Sequence, residues 1–215
     1  MQTLRSALVV TLFAIAFGFV ESSVVVYLRQ AYYPNGFSFP LAPGVIQPLL
    51  VEVVREFCTI VMLGAVAYLA GRNRWQRFAY FMIAFAVWDI LYYVWLKVIL
   101  DWPATIFEWD VLFLIPIPWI GPVIAPVLVS FAMLAGAVLI LRKEQRGEAF
   151  HGTRTGWITG VLGSVLILAS FLLDPAASLH FQYPQPYHYE LLIAGLLLYG
   201  VTMLTSQSRR GQRTQ

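Results

Sequence analysis

AYFMIAFAVWDILYYVWLKVIL, residues 79–100, is an apolar stretch broken by only two charges, Asp89 and Lys97. An α-helix rises about 1.5 Å per residue, so a run of this length spans roughly 33 Å, close to the thickness of a bilayer's hydrocarbon core. A helix that is apolar on all sides needs an apolar surround on all sides. The spacing therefore predicts a transmembrane helix, and it directs attention to the two charges inside it.

Working outward, five more runs have similar character: residues 6–28, 46–70, 121–141, 155–173 and 190–205. The chain of 215 residues is 60% hydrophobic and 12% charged, with a mean hydropathy of +0.73. Soluble domains carry about 25% charged residues, and a soluble fold of this length could not hide so much apolar surface. The expectation is an all-α integral membrane protein forming one polytopic domain over residues 1–215: a six-helix bundle built from three helical hairpins. The first run continues well past a signal-peptide core and lacks a convincing small-x-small cleavage site, so it is read as a retained helix. Cys58 is the single cysteine. It excludes an internal disulfide and a cysteine zinc site, and it reads as a small core residue.

Charge sets the expected orientation. Arg5, Arg72, Arg74, Arg77, Arg142, Lys143, Arg146, Arg154, Arg209, Arg210 and Arg213 are eleven of the fourteen basic residues and fall on one side of the six runs. By the positive-inside rule that side is cytoplasmic, with both termini there. The expected location is the plasma membrane, the inner membrane of a bacterium. Nine of the eleven acids lie toward the other side: Glu21, Glu52, Glu56, Asp89, Asp101, Glu108, Asp110, Asp174 and Glu190. Acids contribute little to insertion, so this bias points to a polar region on the outer face. The outer loops are rich in Pro, Trp and Tyr. Residues 111–120 are too short and Pro-broken to span and read as an interfacial or re-entrant segment, which is tolerated only against protein or water.

A weak internal repeat accompanies the runs. PLAPGVIQPLLVE (40–52) and PWIGPVIAPVLVS (118–130) share the pattern P-x4-V-I-x-P-x-L-V, and QPLLVE (47–52) resembles QPYHYE (185–190). Each proposed hairpin carries an acid on its outgoing helix (Glu21, Asp89, Asp174). Each also carries a polar residue one turn past a Pro on its returning helix (Glu52, Ser130, Glu190).

The candidate site follows from the cost of burying charge, about 2.5–3.5 kcal/mol per residue at a bilayer centre. Glu52, Arg55 and Glu56 share one helix face. Asp89, Tyr92, Tyr93 and Lys97 do much the same on the third run. Counting helical rise from the outer ends puts Glu21 and Glu52 roughly 9–10 Å deep, and Glu56 and Asp89 roughly 15–16 Å. Glu21, Glu52, Arg55, Glu56, Asp89 and Lys97 sum to −2, leaving acids without cations. As structural ion pairs, the same groups would match Arg55 with Asp89 and Lys97 with Glu21.

Three functional readings arise. The first is an enzyme modifying a lipid or isoprenoid, with Glu56, Asp89, Glu52 and Glu21 as catalytic carboxylates and Arg55, Lys97, Tyr92 and Tyr93 holding the substrate. A divalent metal would take Glu52, Glu56, Asp89 and His188 as its ligands. The second is a cation- or proton-coupled transporter. The inner halves of the runs hold almost no ionisable residues, which ranks transport below the enzyme. The third is an accessory subunit docked by its outer loops to a larger membrane complex. Membrane lipids are partners in all three. The sequence holds no phosphate loop, nucleophile elbow or zinc-protease motif, and nothing in it supports nucleic-acid binding.

Overall fold

The computed structural model of the chain describes residues 2–33, 36–39, 41, 49–174, 176–180 and 182–210. The repeat residues Pro40 and 42–48, and Arg213 in the basic tail, lie outside the described residues. The helices are α1 (Gln2–Tyr32), α2 (Leu49–Ala70), α3 (Arg74–Leu100), α4 (Ile124–Gln145), α5 (Arg154–Leu172), the single-turn α6 (Ala176–Leu179) and α7 (Tyr189–Thr205). Four of them, α1, α3, α4 and α5, are long and apolar enough to cross a membrane. The apolar α7 is shorter, and α2 carries Glu52, Arg55 and Glu56 within its length.

The outward faces are apolar where a soluble protein would be charged. Leu69 is 84% exposed and Leu204 86%. Cys58 also faces outward, on α2, and is not a core residue. In a membrane the outward side is as apolar as the interior, so hydrophobicity alone does not tell the two faces of α2 apart.

α3 is the hub. It packs against α1, α2 and α4, while α5 and α7 pack chiefly on each other. α1 and α3 run side by side in the same direction: the Tyr80 hydroxyl donates to the Thr3 carbonyl at 3.2 Å, and Gly18 lies against Trp88. A Cβ at Gly18 would sit 3.1 Å from the Trp88 carbonyl oxygen, so the absence of a side chain sets this approach. Small residues commonly allow such contacts between membrane helices. The shared core of α1–α4 includes Val10, Ala14, Leu63, Ala67, Ala84 and Ala137, all essentially inaccessible.

The α5–α7 seam is tighter still. A Cβ on Gly163 would lie 2.9 Å from the Gly195 carbonyl, and one on Gly195 would lie 2.6 Å from Ile167. Three hydroxyl pairs close the seam and its outer end, each at 2.8 Å: Thr159 with Thr202, Ser164 with Tyr199, and Ser170 with Tyr187.

The fold is helical as expected, and two short antiparallel ribbons are added to it: β1 (Trp109–Phe113) with β2 (Trp119–Pro122), and β3 (Glu148–His151) with β4 (Gln207–Arg210). The first lies in the segment expected to be re-entrant. Its register slips between Val111 and Phe113, where a bulge turns the strand. Prolines 116 and 118 sit in the connection between the strands, where no ladder donor is lost.

Candidate functional site

Glu21 on α1, Arg55, Glu56 and Thr59 on α2, and Trp88, Asp89, Tyr92 and Tyr93 on α3 converge on one cavity of about 60 Å³. Residues Val111, Leu112 and Phe113 of β1 cover it. This is room for roughly four or five water molecules. Helical spacing explains the convergence: Glu52, Arg55, Glu56 and Thr59 recur at three- and four-residue steps along α2, and Asp89, Tyr92 and Tyr93 do so along α3.

The cations are unevenly shared. Arg55 contacts Glu21 through Nη1, and through Nη2 and Nε it donates to Glu52 Oε2 at 2.7 and 2.9 Å. Thr59 Oγ1 adds a longer bond of 3.3 Å to Glu21. One guanidinium thus serves two carboxylates. Glu56 accepts from the Leu114 backbone N–H at 2.7 Å, and Asp89 accepts from the Ser130 hydroxyl at 2.8 Å. Among the described residues neither Glu56 nor Asp89 forms an ion pair. Both are buried, 8% and 9% exposed, so bulk water does not supply the missing compensation. The indole N–H of Trp88 is buried in the same wall and has no acceptor among the described residues.

The expected pairings are therefore corrected. Arg55 meets Glu21 and Glu52 rather than Asp89. Lys97 turns away, pairing with Asp101 at 2.7 Å and donating to the carbonyls of Asp101 and Pro103. Its long stem lets the ammonium reach the helix end, where hydration and carbonyl acceptors cost less than burial. With Lys97 gone, the formal charge of Glu21, Glu52, Arg55, Glu56 and Asp89 is −4 + 1 = −3. Glu52 stands at the rim beside Arg55. His188 pairs with Glu190 at 2.7 Å at the surface, far along the chain from the cluster, and Asp174 accepts from the Gln185 N–H at 2.6 Å. The third hairpin's acids do not join the site, and α7 does not wall it. Among the described residues no three His, Cys, Asp or Glu side chains converge as metal ligands.

A second buried charge pair supports the cover. Arg29 of α1 donates to Asp110 of β1 at 3.1 Å, and its guanidinium lies 4.2 Å from the Phe37 ring and 3.7 Å from Trp102. Burial pushes the Asp110 carboxyl up to about 6, against the opposing pull of Arg29, the Val111 N–H and the Tyr93 hydroxyl. Reading the sequence put Asp110 among the outer acids, but nothing in it matched two residues 81 positions apart.

Searches of known protein families, of curated proteins and of solved structures find no match. The site is read from its own chemistry.

Proposed function

We propose that this chain is a multi-pass membrane enzyme that moves a proton on a lipid-soluble substrate, a lipid or an isoprenoid, from a carboxylate pocket beneath the outer leaflet. α2 and α7 complete a six-span arrangement with both termini cytoplasmic, in the inner membrane of a bacterium. The bias of the basic residues toward one end supports that orientation.

One observation carries the reading. Glu56 and Asp89 face one small cavity, and among the described residues neither forms an ion pair, because Arg55 in the same lining is engaged by Glu21 and Glu52. Two such carboxyls can divide the roles, one giving a proton and the other accepting one, which is the requirement for a redox-neutral isomerisation or cyclisation. Arg55 holds Glu21 and Glu52 as a fixed charged wall. Tyr92 and Tyr93 supply hydroxyls and ring faces. The cavity has room for a reacting group and not for a whole lipid, so the rest of the substrate lies in the bilayer.

Transport fits less well. Toward the basic end the bundle is filled by Val10, Ala14, Leu63, Ala67 and Ala84, which offer an ion no polar route. The discriminating experiment compares lipid and isoprenoid extracts from cells producing the wild-type protein, Glu56→Gln or Asp89→Asn, with equal insertion checked by immunoblot. A species that changes with wild type and reverts in both variants supports the enzyme. Identical extracts, together with carboxylate-dependent proton flux in liposomes, would replace it with the transporter.

A further inference from the structure

A second cavity, of about 640 Å³, opens at the opposite, basic end of the molecule, between α3 and α4 on one side and α5 and α7 on the other. Its size falls within the ~300–1,000 Å³ range of small-molecule sites. Three methionines line it, Met82, Met133 and Met203, and such thioethers adapt to an irregular apolar occupant. Gly136 and Gly160 keep its floor low: a Cβ at Gly136 would meet Met203 at 3.4 Å and Met82 at 3.8 Å, and one at Gly160 would meet Thr202 at 3.6 Å, all ordinary contacts. The hydroxyls in the wall are already paired, Ser164 with Tyr199 and Thr202 with Thr159. The interior therefore makes no polar demand.

The mouth is different. The Trp75 indole N–H lies there buried without an acceptor, and Arg74 makes no ion pair among the described residues. Lys143 lies close by, donating to the Ser206 carbonyl at 2.8 Å and sitting 5.5 Å from the Phe150 ring, which also lines the cavity. The Asn73 amide bonds Glu144 at 2.7 Å, so the α3 start, which carries Arg74, and the α4 end, which carries Lys143, come together.

We infer that this cavity binds one anionic membrane phospholipid, with an acyl chain between the α3–α4 and α5–α7 pairs and the phosphate at Arg74 and Trp75. An apolar interior with Arg74 at its mouth matches that amphiphile at both ends, whereas a zwitterionic lipid brings its own cation to Arg74. The site is independent of the carboxylate pocket and stands or falls separately from it.

The test is native mass spectrometry of the full-length protein, delipidated in detergent and titrated with dioleoyl phosphatidylglycerol, dioleoyl phosphatidylcholine or glycerol 3-phosphate. One phosphatidylglycerol should be retained about fivefold more strongly than phosphatidylcholine, and glycerol 3-phosphate should not bind. Arg74→Ala should keep lipid binding but lose the preference. Gly160→Leu, which fills the floor, should lose both lipids, and Gly136→Leu repeats that test if Gly160→Leu does not purify as a folded species. Equal retention of the two lipids by wild type, or undiminished phosphatidylglycerol on a folded cavity-filling variant, would overturn the assignment.

Discussion

The α5–α7 seam and the α1–α2–α3 cluster solve the same problem, placing polar side chains between apolar helices, in opposite ways. In the seam, each hydroxyl finds another hydroxyl or a backbone carbonyl one turn back, and no charge is involved. In the cluster, one guanidinium serves two of four carboxylates, and an indole N–H has no acceptor among the described residues. Neutral, reciprocal pairing is sufficient for holding helices together. A surplus of acids and an unused donor are not needed for that purpose, and the contrast is the ground for the proposed site.

The largest expected effect tests that contrast directly. Asp89→Asn and Glu56→Gln should each cut turnover about 10²–10⁴-fold, the usual contribution of acid–base catalysis, while thermal stability in detergent stays near wild type. Loss of stability in step with activity would return the carboxylates to a structural role. On the other side of the comparison, Gly195→Ala should destabilise the α5–α7 seam by about 1–3 kcal/mol, because the added methyl would overlap Ile167 and the Gly163 backbone. Denaturant titration with a tryptophan signal would measure it, and carboxylate-dependent turnover should persist in the folded fraction.

The cover should respond to pH. Folded Asp110 holds its proton up to about 6, above the ordinary value near 4 for an exposed aspartate. The folded state therefore binds the proton more tightly than the unfolded one. Cover stability should decline as pH rises from about 4 to about 6, then level off. Asp110→Asn should flatten that slope in hydrogen exchange of residues 109–122. The smallest effect belongs to a neutral pair. A double-mutant cycle of Ser164→Ala and Tyr199→Phe should return a coupling of about 0.6 kcal/mol, with turnover unaffected. A larger value would blur the division between seam and cluster.

Much of this was legible in the residues because hydrocarbon makes charge conspicuous. Glu21, Arg55, Glu56 and Asp89 stood out as costly in apolar runs, and they share one cavity. Tyr92 and Tyr93 followed from helical spacing. Lys97 misled because a charge near a helix end has a cheap escape to Asp101 that spacing does not reveal. The β1–β2 ribbon escaped notice since its Trp- and Pro-rich segment lacks clean alternation, and the Arg29–Asp110 pair is formed by tertiary packing alone. Ser130 showed as one term of a repeat, but only the fold turns it toward Asp89. The hydroxyl seam left no trace in charge or hydropathy, because Ser and Thr pass through apolar helices almost unremarked.

Arg29 fastens three separate stretches of chain at one point: Phe37 after the first helix, Trp102 after the third, and Asp110 at the start of the ribbon. A rivet through three plates makes them move as one. Lengthening either connecting loop would therefore be felt at the pocket roof, and an epitope tag meant to be harmless in these loops would act as an inhibitor. The same coupling offers an instrument: an environment-sensitive dye placed at Phe37 would read the roof's movements without touching the carboxylates beneath.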